Sequence, residues 1–307
     1  MSFPSLPVEL IDNILQNVQS SDLVALALTC TSLSPVAQRL LYRDIIVSAW
    51  SNNTKVVETL AKRPDLAVFA RSFSITTTTQ PPAFPAFDQL LATALAGMTE
   101  LTTLALNLAD SSASWVLEKA AQNVSYHRLH QFTASFPFDQ NVANFLDKTP
   151  NLTQLEVDSI PCAEPTSPVP SLLPTTIPNL SQFVGSVRAA KSIVPGRPLE
   201  SIHLNEGDLV DEDVAGFSRA TGRVLVFSAT ASTSPVPLLE SIAHNFPHLA
   251  YLRIMTTHHF TQAPKHGFMD QVANALATLP DLTAFELSGM QWGSSKRNDD
   301  DSKRVWQ

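Results

Sequence analysis

A chain of 307 residues with 44% hydrophobic and 16% charged residues can bury a sizeable core, which excludes a natively disordered protein. Its formal charge of −8 and lack of an uninterrupted basic cluster exclude a surface built to grip phosphate backbones, so no nucleic-acid partner is expected. Cys30 and Cys162 are its 2 cysteines; they make neither a disulfide framework nor a complete zinc site, and a reducing compartment, cytoplasmic and/or nuclear, is the expectation.

No apolar run approaches the ~18 residues of a membrane span, so no membrane partner is expected. The opening MSFPSLPVELIDNIL carries Glu9 and Asp12 but neither Lys nor Arg, unlike the basic start of a signal peptide. Without such a signal, the sequons at Asn52, Asn123, Asn151 and Asn179 read as chance matches. Lys296-Arg297 and Lys303-Arg304 are interrupted by Asp299-Asp300-Asp301, which makes a solvated tail and not a binding cluster.

The first helix is predicted to start after Leu6. Pro7 suits a first helical turn, where its missing N–H costs nothing, and Glu9 meets the positive end of the macrodipole. Leu10, Ile14 and Val18 recur at i, i+4 and i+8, with Ile11 and Leu15 beside them, giving one apolar stripe. Ser21 is a candidate cap for a second, nearly all-apolar helix through Leu23, Val24, Leu26, Ala27 and Leu28, with Asp22 in its first turn. Thr29 to Ser32 break it. Ser34-Pro35 then places a cap before a Pro at the first helical position, and Val36, Ala37, Leu40 and Leu41 continue a third helix. Three short helices bury too little surface to stand alone. Either they cap a larger domain, or a partner covers their surplus apolar surface.

The run LPVELIDNILQNVQSSDLVALALTCTSLSPVAQRLLYRDI resembles the F-box of eukaryotes. Leu6, Pro7, Glu9, Leu10, Ile14, Leu15, Asp22, Leu23, Leu26, Cys30, Leu41 and Tyr42 stand at the places of its Leu-Pro opening, its Glu-Leu-x-x-x-Ile-Leu segment, its Asp-Leu with spaced leucines, its Cys and its closing Leu-Tyr. The ending LLYRDIIV looks like F-box proteins of fungi. The resemblance spans about residues 5 to 47 and implies docking onto a Skp-type adaptor and, through it, a cullin–RING ubiquitin ligase. It assigns the adaptor contact to Leu6, Pro7, Glu9, Leu10, Ile14, Leu15, Leu23, Leu26, Cys30 and Leu33. Many F-boxes have Trp where this chain has Leu33, and Leu buries less area, so a weaker adaptor contact is expected. Cys30 is expected to be a buried structural thiol.

Beyond these helices a Leu-x-x-Leu-x-Leu pattern recurs. Its members are Leu101/Leu104/Leu106, Leu129/Phe132, Leu152/Leu155/Val157, Leu180/Phe183, Leu199/Ile202/Leu204, Leu249/Leu252/Ile254 and Leu282/Phe285/Leu287. Ala70/Phe73/Ile75 is a plausible first member, and Val224 with Val226 a poorly formed late one. Helical stretches precede several of them: FDQLLATALAGM with Leu90, Leu91, Ala94 and Leu95 on one side, NVANFLDKTP with Val142, Phe145 and Leu146, VPLLESIAHNFP, and DQVANALATLP. A helix followed by a short alternating strand cannot bury its own apolar face, so stacked copies are expected to build a parallel sheet on one side and helices on the other. The separations scatter from about 20 to 33 residues, against 20–29 for regular repeats. This region resembles the degenerate leucine-rich repeats found behind many F-boxes. The expected fold is therefore α/β: a three-helix F-box over residues 1–49, a leucine-rich-repeat-like solenoid over 50–293, and a mobile polar tail over 294–307. Thr76 to Pro85 and Pro161 to Pro178, rich in Pro, Thr and Ser, read as loops.

Residues between the core leucines are expected on the open face of such a sheet: Thr103, Ala105 and Asn107; Gln131 and Thr133; Gln154, Glu156 and Asp158; Ser201, His203 and Asn205; Tyr251, Arg253 and Met255; and Glu286. Tyr251, Arg253 and Met255 combine the aromatic, guanidinium and soft apolar groups that interfaces favour, and they are the candidate contact for an unknown protein substrate.

Chemistry is sparse. His258, His259 and His266 put three imidazoles in one loop, but without the His-His spacing and Glu of a zinc protease. The run LNEGDLVDEDV has acids out of calcium-loop order and reads as a solvated loop. The sequence holds no phosphate-loop or nucleophile-elbow string. No nucleophile, base and orienting group can be named together, so neither an enzyme nor a cofactor is expected. The leading expectation is a substrate receptor acting by proximity. The alternatives are a non-degradative F-box scaffold and a metal-dependent hydrolase on the His258/His259/His266 loop.

Overall fold

The computed structural model describes residues 6–48, 50–51, 53–77, 86–158, 168–256, 266–296 and 304–306. Its first helices, α1 (Val8–Leu15), α2 (Ser20–Thr29) and α3 (Ser34–Leu41), lie where the apolar spacing places them. Ile11, Leu15, Leu23, Leu33, Val36 and Ala37 form their shared interior, with Leu6, Val18, Leu26, Ala27, Cys30, Leu40 and Leu41 packed around it. The starts differ from the polar signals by about a residue: α1 begins just after Pro7, whereas α2 and α3 begin ahead of the caps expected at Ser21 and Ser34. Pro7 is the N-cap of α1 and not a first-turn residue, and its carbonyl accepts from Leu10 and Ile11. Ser20 and Ser34 are already helical, behind Gln19 and Leu33, and no side chain caps any of the three. Burial of the stripe, more than the cap, sets these starts.

Two compact units make up the chain: Met1–Phe136 with Asn144–Thr149, and Pro137–Ala143 with Pro150–Gln307. This division differs from the expected boundary after residue 49. In the first unit α3 leads into β1 (Asp44–Ser48), followed by α4 (Lys55–Lys62), α5 (Pro64–Ala67), β2 (Ser72–Thr76), α6 (Phe87–Gly97), β3 (Thr103–Asn107), a 3-10 turn (Ser111–Ser114), α7 (Trp115–Ala121) and β4 (Gln131–Ala134). These strands pair in parallel and in chain order. Ile45, Phe73, Leu104 and Phe132 lie in register and buried, as do Val47, Ile75, Leu106 and Ala134. Phe145, in α8 (Gln140–Leu146), packs its ring 4.9 Å from Phe132 and 5.3 Å from Tyr126. The Tyr126 hydroxyl donates to the Leu95 carbonyl at 3.0 Å. Burial pushes that phenol well above its usual range.

The second unit runs β5 (Gln154–Glu156), β6 (Gln182–Ser186), α9 (Val187–Ile193), β7 (Ser201–Glu206), α10 (Asp211–Phe217), β8 (Val226–Ala231), α11 (Pro235–Asn245), β9 (Tyr251–Thr256), α12 (His266–Leu276) and β10 (Ala284–Leu287). β5 to β10 are again parallel and sequential. A row of Leu155, Phe183, Ile202, Phe227, Leu252 and Phe285 lies buried in register. Such in-register apolar rows are the unit of sheet stabilisation.

Each strand-to-strand step named in the two units repeats one backbone device. The carbonyl just before a strand accepts from two successive N–H groups at the start of the next strand. Arg43, Arg71 and Thr102 do so in the first unit, and Thr153, Ser181, Glu200, Leu225 and Ala250 in the second, at 2.7–3.3 Å. A carbonyl has two lone pairs, so both N–H groups find an acceptor in it. Side-chain hydroxyls of Thr102, Ser181 and Thr283 donate to the same carbonyls across 31, 28 and 33 residues.

Four expectations change. DIIV, read as the end of the helical module, is β1, because Ile45 and Val47 pair with Phe73 and Ile75. In β8 the inward residues are Phe227 and Ala229, after Val224, while Val226 lies on the open face. The acidic run is not simply a loop. Asp211, Glu212 and Asp213 open α10, where carboxylates meet the helix dipole, and buried Asp213 lies 2.9 Å from the Lys191 ammonium. The tail expected from Ser294 instead enters β11 (Met290–Lys296), which pairs antiparallel with β10 and with β12 (Arg304–Trp306). The connecting residues Ser288 and Gly289 both have positive φ, 48° and 85°, the backbone that a two-residue hairpin of matching twist requires. No helix of the described residues is long and apolar enough to cross a membrane.

Candidate docking surfaces

The first surface belongs to α1 and α2. On α1, Ile11 and Leu15 face the interior, so the helical period turns Leu10 and Ile14 outward. They are 49% and 44% exposed, beside Val8 at 52%. Pro7 and Glu9 are exposed at the start of the same helix. On α2 only Leu23 is fully buried; Val24 and Leu28, one turn apart, are 47% and 83% exposed. Asp12 and Arg39 tie α1 to α3 through a 2.6 Å ion pair.

The residues expected at an adaptor thus fall into three groups. Pro7, Glu9, Leu10 and Ile14 are exposed, and Leu6, Leu26 and Cys30 are half-buried. Leu15, Leu23 and Leu33 lie inside the three-helix core, where they hold the outer residues in place and present no face. Leu33 fills interior space, so its substitution for Trp is a packing difference. Cys30 is not the buried thiol expected. Its Sγ lies 3.2 Å from Ser32 Oγ, and that hydrogen bond lowers the thiol's pKa. Val8, Val24 and Leu28 were not anticipated. The signal for the last two was an α2 apolar on nearly all sides in a module too small to bury every side.

The second surface is the open face of β7 to β10. Alternation with buried residues leaves Ser201, His203, Asn205, Val226, Ser228, Thr230, Tyr251, Arg253 and Met255 unburied. In register, His203 aligns with Ser228, Arg253 and Glu286. Glu286 is largely buried, accepts the Tyr251 hydroxyl at 3.3 Å and lies 3.2 Å from Arg253 Nε. Two of the three expected partner-contact residues are therefore braced by one carboxylate of the next strand. Met255 stands beside them, its sulfur 3.8 Å from an Arg253 Nη nitrogen. Burial, then the Arg253 charge, lowers the pKa of His203, so its imidazole is neutral near pH 7. Burial, then Glu286, raises the pKa of the Tyr251 hydroxyl.

Asp158, also expected on an open face, is instead buried, with φ 56°. It accepts the Phe138 N–H at 2.6 Å and the Ser186 hydroxyl. Ser186 in turn caps α9 by accepting from Ala189. Cys162, His258 and His259 lie outside the described residues, as does the side chain of His266. Among the described residues no group of three or more His, Cys, Asp or Glu is placed to hold a metal ion.

The F-box domain family model matches residues 3–40, ending before β1. No curated protein matches the chain.

Proposed function

We propose that this F-box protein is the substrate-recognition subunit of an SCF-type (Skp–cullin–F-box) ubiquitin ligase. The outward residues of α1 and α2 contact the Skp adaptor, and a leucine-rich-repeat-like body holds a target protein through β7 to β10. The observation that carries this reading is the pair of exposed aliphatic stripes, Leu10/Ile14 and Val24/Leu28, within the matched F-box. Exposed aliphatic groups grouped in this way mark surfaces that a partner covers. The repeat-like reading of the body rests on the recurring strand, its doubly used carbonyl and the helix that follows. The protein performs no bond chemistry in this scheme. It raises the effective concentration of a target's lysine at the ligase.

Co-expression with a Skp adaptor tests the first half. Wild type should co-purify with it. Leu10→Glu with Ile14→Glu should abolish the association while leaving the thermal melting of the chain within a few degrees, because neither side chain is in the core. Retention of the adaptor by that double variant would overturn the assignment of the contact. Failure of the wild type to bind would overturn the ligase reading itself.

A further inference from the structure

A shallow depression of about 270 Å³ lies on the open face of β7 to β9. His203, Asn205, Ser228, Thr230, Arg253 and Met255 line it. The side chains of His203, Asn205, Ser228 and Thr230 have no hydrogen-bond partner among the described residues. The hydroxyls of Ser181 and Thr283, near the starts of neighbouring strands, are by contrast bonded to carbonyls. A few convergent polar groups without internal partners are what a recognition site requires.

Arg253 supplies the charge. Its Nε side is taken by Glu286 at 3.2 Å. Among the described residues its outer edge meets only the thioether of Met255 at 3.8 Å, a weak acceptor. The side chain is 44% exposed, whereas that of Glu286 is 11% exposed. An incoming group therefore meets the guanidinium and not the carboxylate beneath it. No second permanent cation stands on the described open faces of β7 to β10, and Glu286 already offsets part of the first. That balance suits one monoanionic carboxylate, which matches the planar fork. It disfavours a dianionic phosphate, which needs further positive charge.

We propose that this depression takes an Asp or Glu side chain from an extended, unmodified segment of the target protein. The carboxylate occupies the outer edge of Arg253, and the adjoining peptide groups bond to Asn205, Ser228, Thr230 and His203. This rests on the reading that the target docks on this sheet face, and it names the chemistry recognised there.

The full chain, co-expressed with its adaptor, would be panned against a phage-displayed library of random unmodified peptides. The expected result is enrichment of sequences with Asp or Glu at one fixed position. A synthetic peptide of the enriched sequence should lose roughly 10- to 100-fold in affinity when that acid becomes its amide, and as much with Arg253→Gln, as for a charge-assisted contact. Arg253→Lys should recover little, because it restores charge without the fork. No enrichment, enrichment without an acid, binding indifferent to Arg253→Gln, or tighter binding of a phosphorylated peptide would each overturn the proposal. Arg253 is outside the F-box, so adaptor association is an independent readout. Loss of adaptor binding with intact peptide capture would sink the ligase reading alone, and the reverse would sink only this inference.

Discussion

Replacing Arg197 with Met should destabilise the second unit more than any exposed substitution on it. The guanidinium is 1% exposed, and among the described residues it has no carboxylate partner; main-chain carbonyls hold it. Nε donates to Thr176 at 3.1 Å, Nη2 to Leu173 at 3.1 Å, and Nη1 to Ile193 at 2.5 Å, with Ser192 and Pro195 at 3.3 Å. Ser192 and Ile193 end α9, so the cation also sits at the negative pole of that helix. Met fills similar space but donates nothing. Each carbonyl left dry would cost about 1–3 kcal/mol, and relief from burying a charge offsets part of the sum. The net loss should be about 3–5 kcal/mol, the upper range for disrupting a buried hydrogen-bond network. At ~2–4 °C per kcal/mol for a domain of this size, the melting point should fall by ~6–20 °C. Circular dichroism melts would measure it. Limited proteolysis between 168 and 178 should accelerate in parallel, because Leu173 and Thr176 lose their anchor. Arg197→Lys should fall between the two, keeping a charge but not the fork. A Met variant that melts within 2 °C of wild type, with that segment equally protected, would refute this account of the buried cation.

Gly222 lies against the backbone of the preceding loop: a Cβ there would meet the Pro198 carbonyl carbon at 2.4 Å and the Leu199 oxygen and nitrogen at 2.6 and 2.7 Å. Backbone cannot move aside as a side chain can, so Gly222→Ala should cost about 1–3 kcal/mol or more, read as a lowered urea midpoint at unchanged slope. Burial raises the pKa of Asp158 against the opposing hydrogen bonds from Ser186 and Phe138. The folded state therefore holds that proton more tightly than the unfolded chain. Stability contributed by the protonated acid is present below its ordinary pKa and is lost as pH rises through the raised folded value. Asp158→Asn keeps an acceptor for Phe138 and cannot ionise, so urea titrations from pH 4 upward should show a flatter pH dependence than wild type; parallel curves would contradict the assignment.

Local periodicity made much of this protein legible. The spacing of Ile11 and Leu15, and the alternation through Leu104 and Leu106 or Leu252 and Ile254, record which side of a helix or strand is buried, because that side must be apolar over consecutive turns or alternate residues. The family match at residues 3–40 includes the stripe of Ile11 and Leu15. Arg253 and Tyr251 were visible as unusual residues between core positions, though their bracing by Glu286 was not.

The sequence by itself determined the positions of the first three helices and of most strands, since both follow from neighbours within about one turn or two residues. Tertiary structure alone decided that Ile45 and Val47 begin a sheet, that Phe227 and not Val226 faces inward, that Leu15, Leu23 and Leu33 are interior, and that Met290 onward returns as an antiparallel edge. It also decided that a cation, Arg197, is buried among carbonyls. The physical reason is the same in each case: strand pairing, desolvation and charge neutralisation depend on groups that reach one another only through the fold, such as Arg197 and Leu173 or Arg253 and Glu286, and no local pattern records their distance.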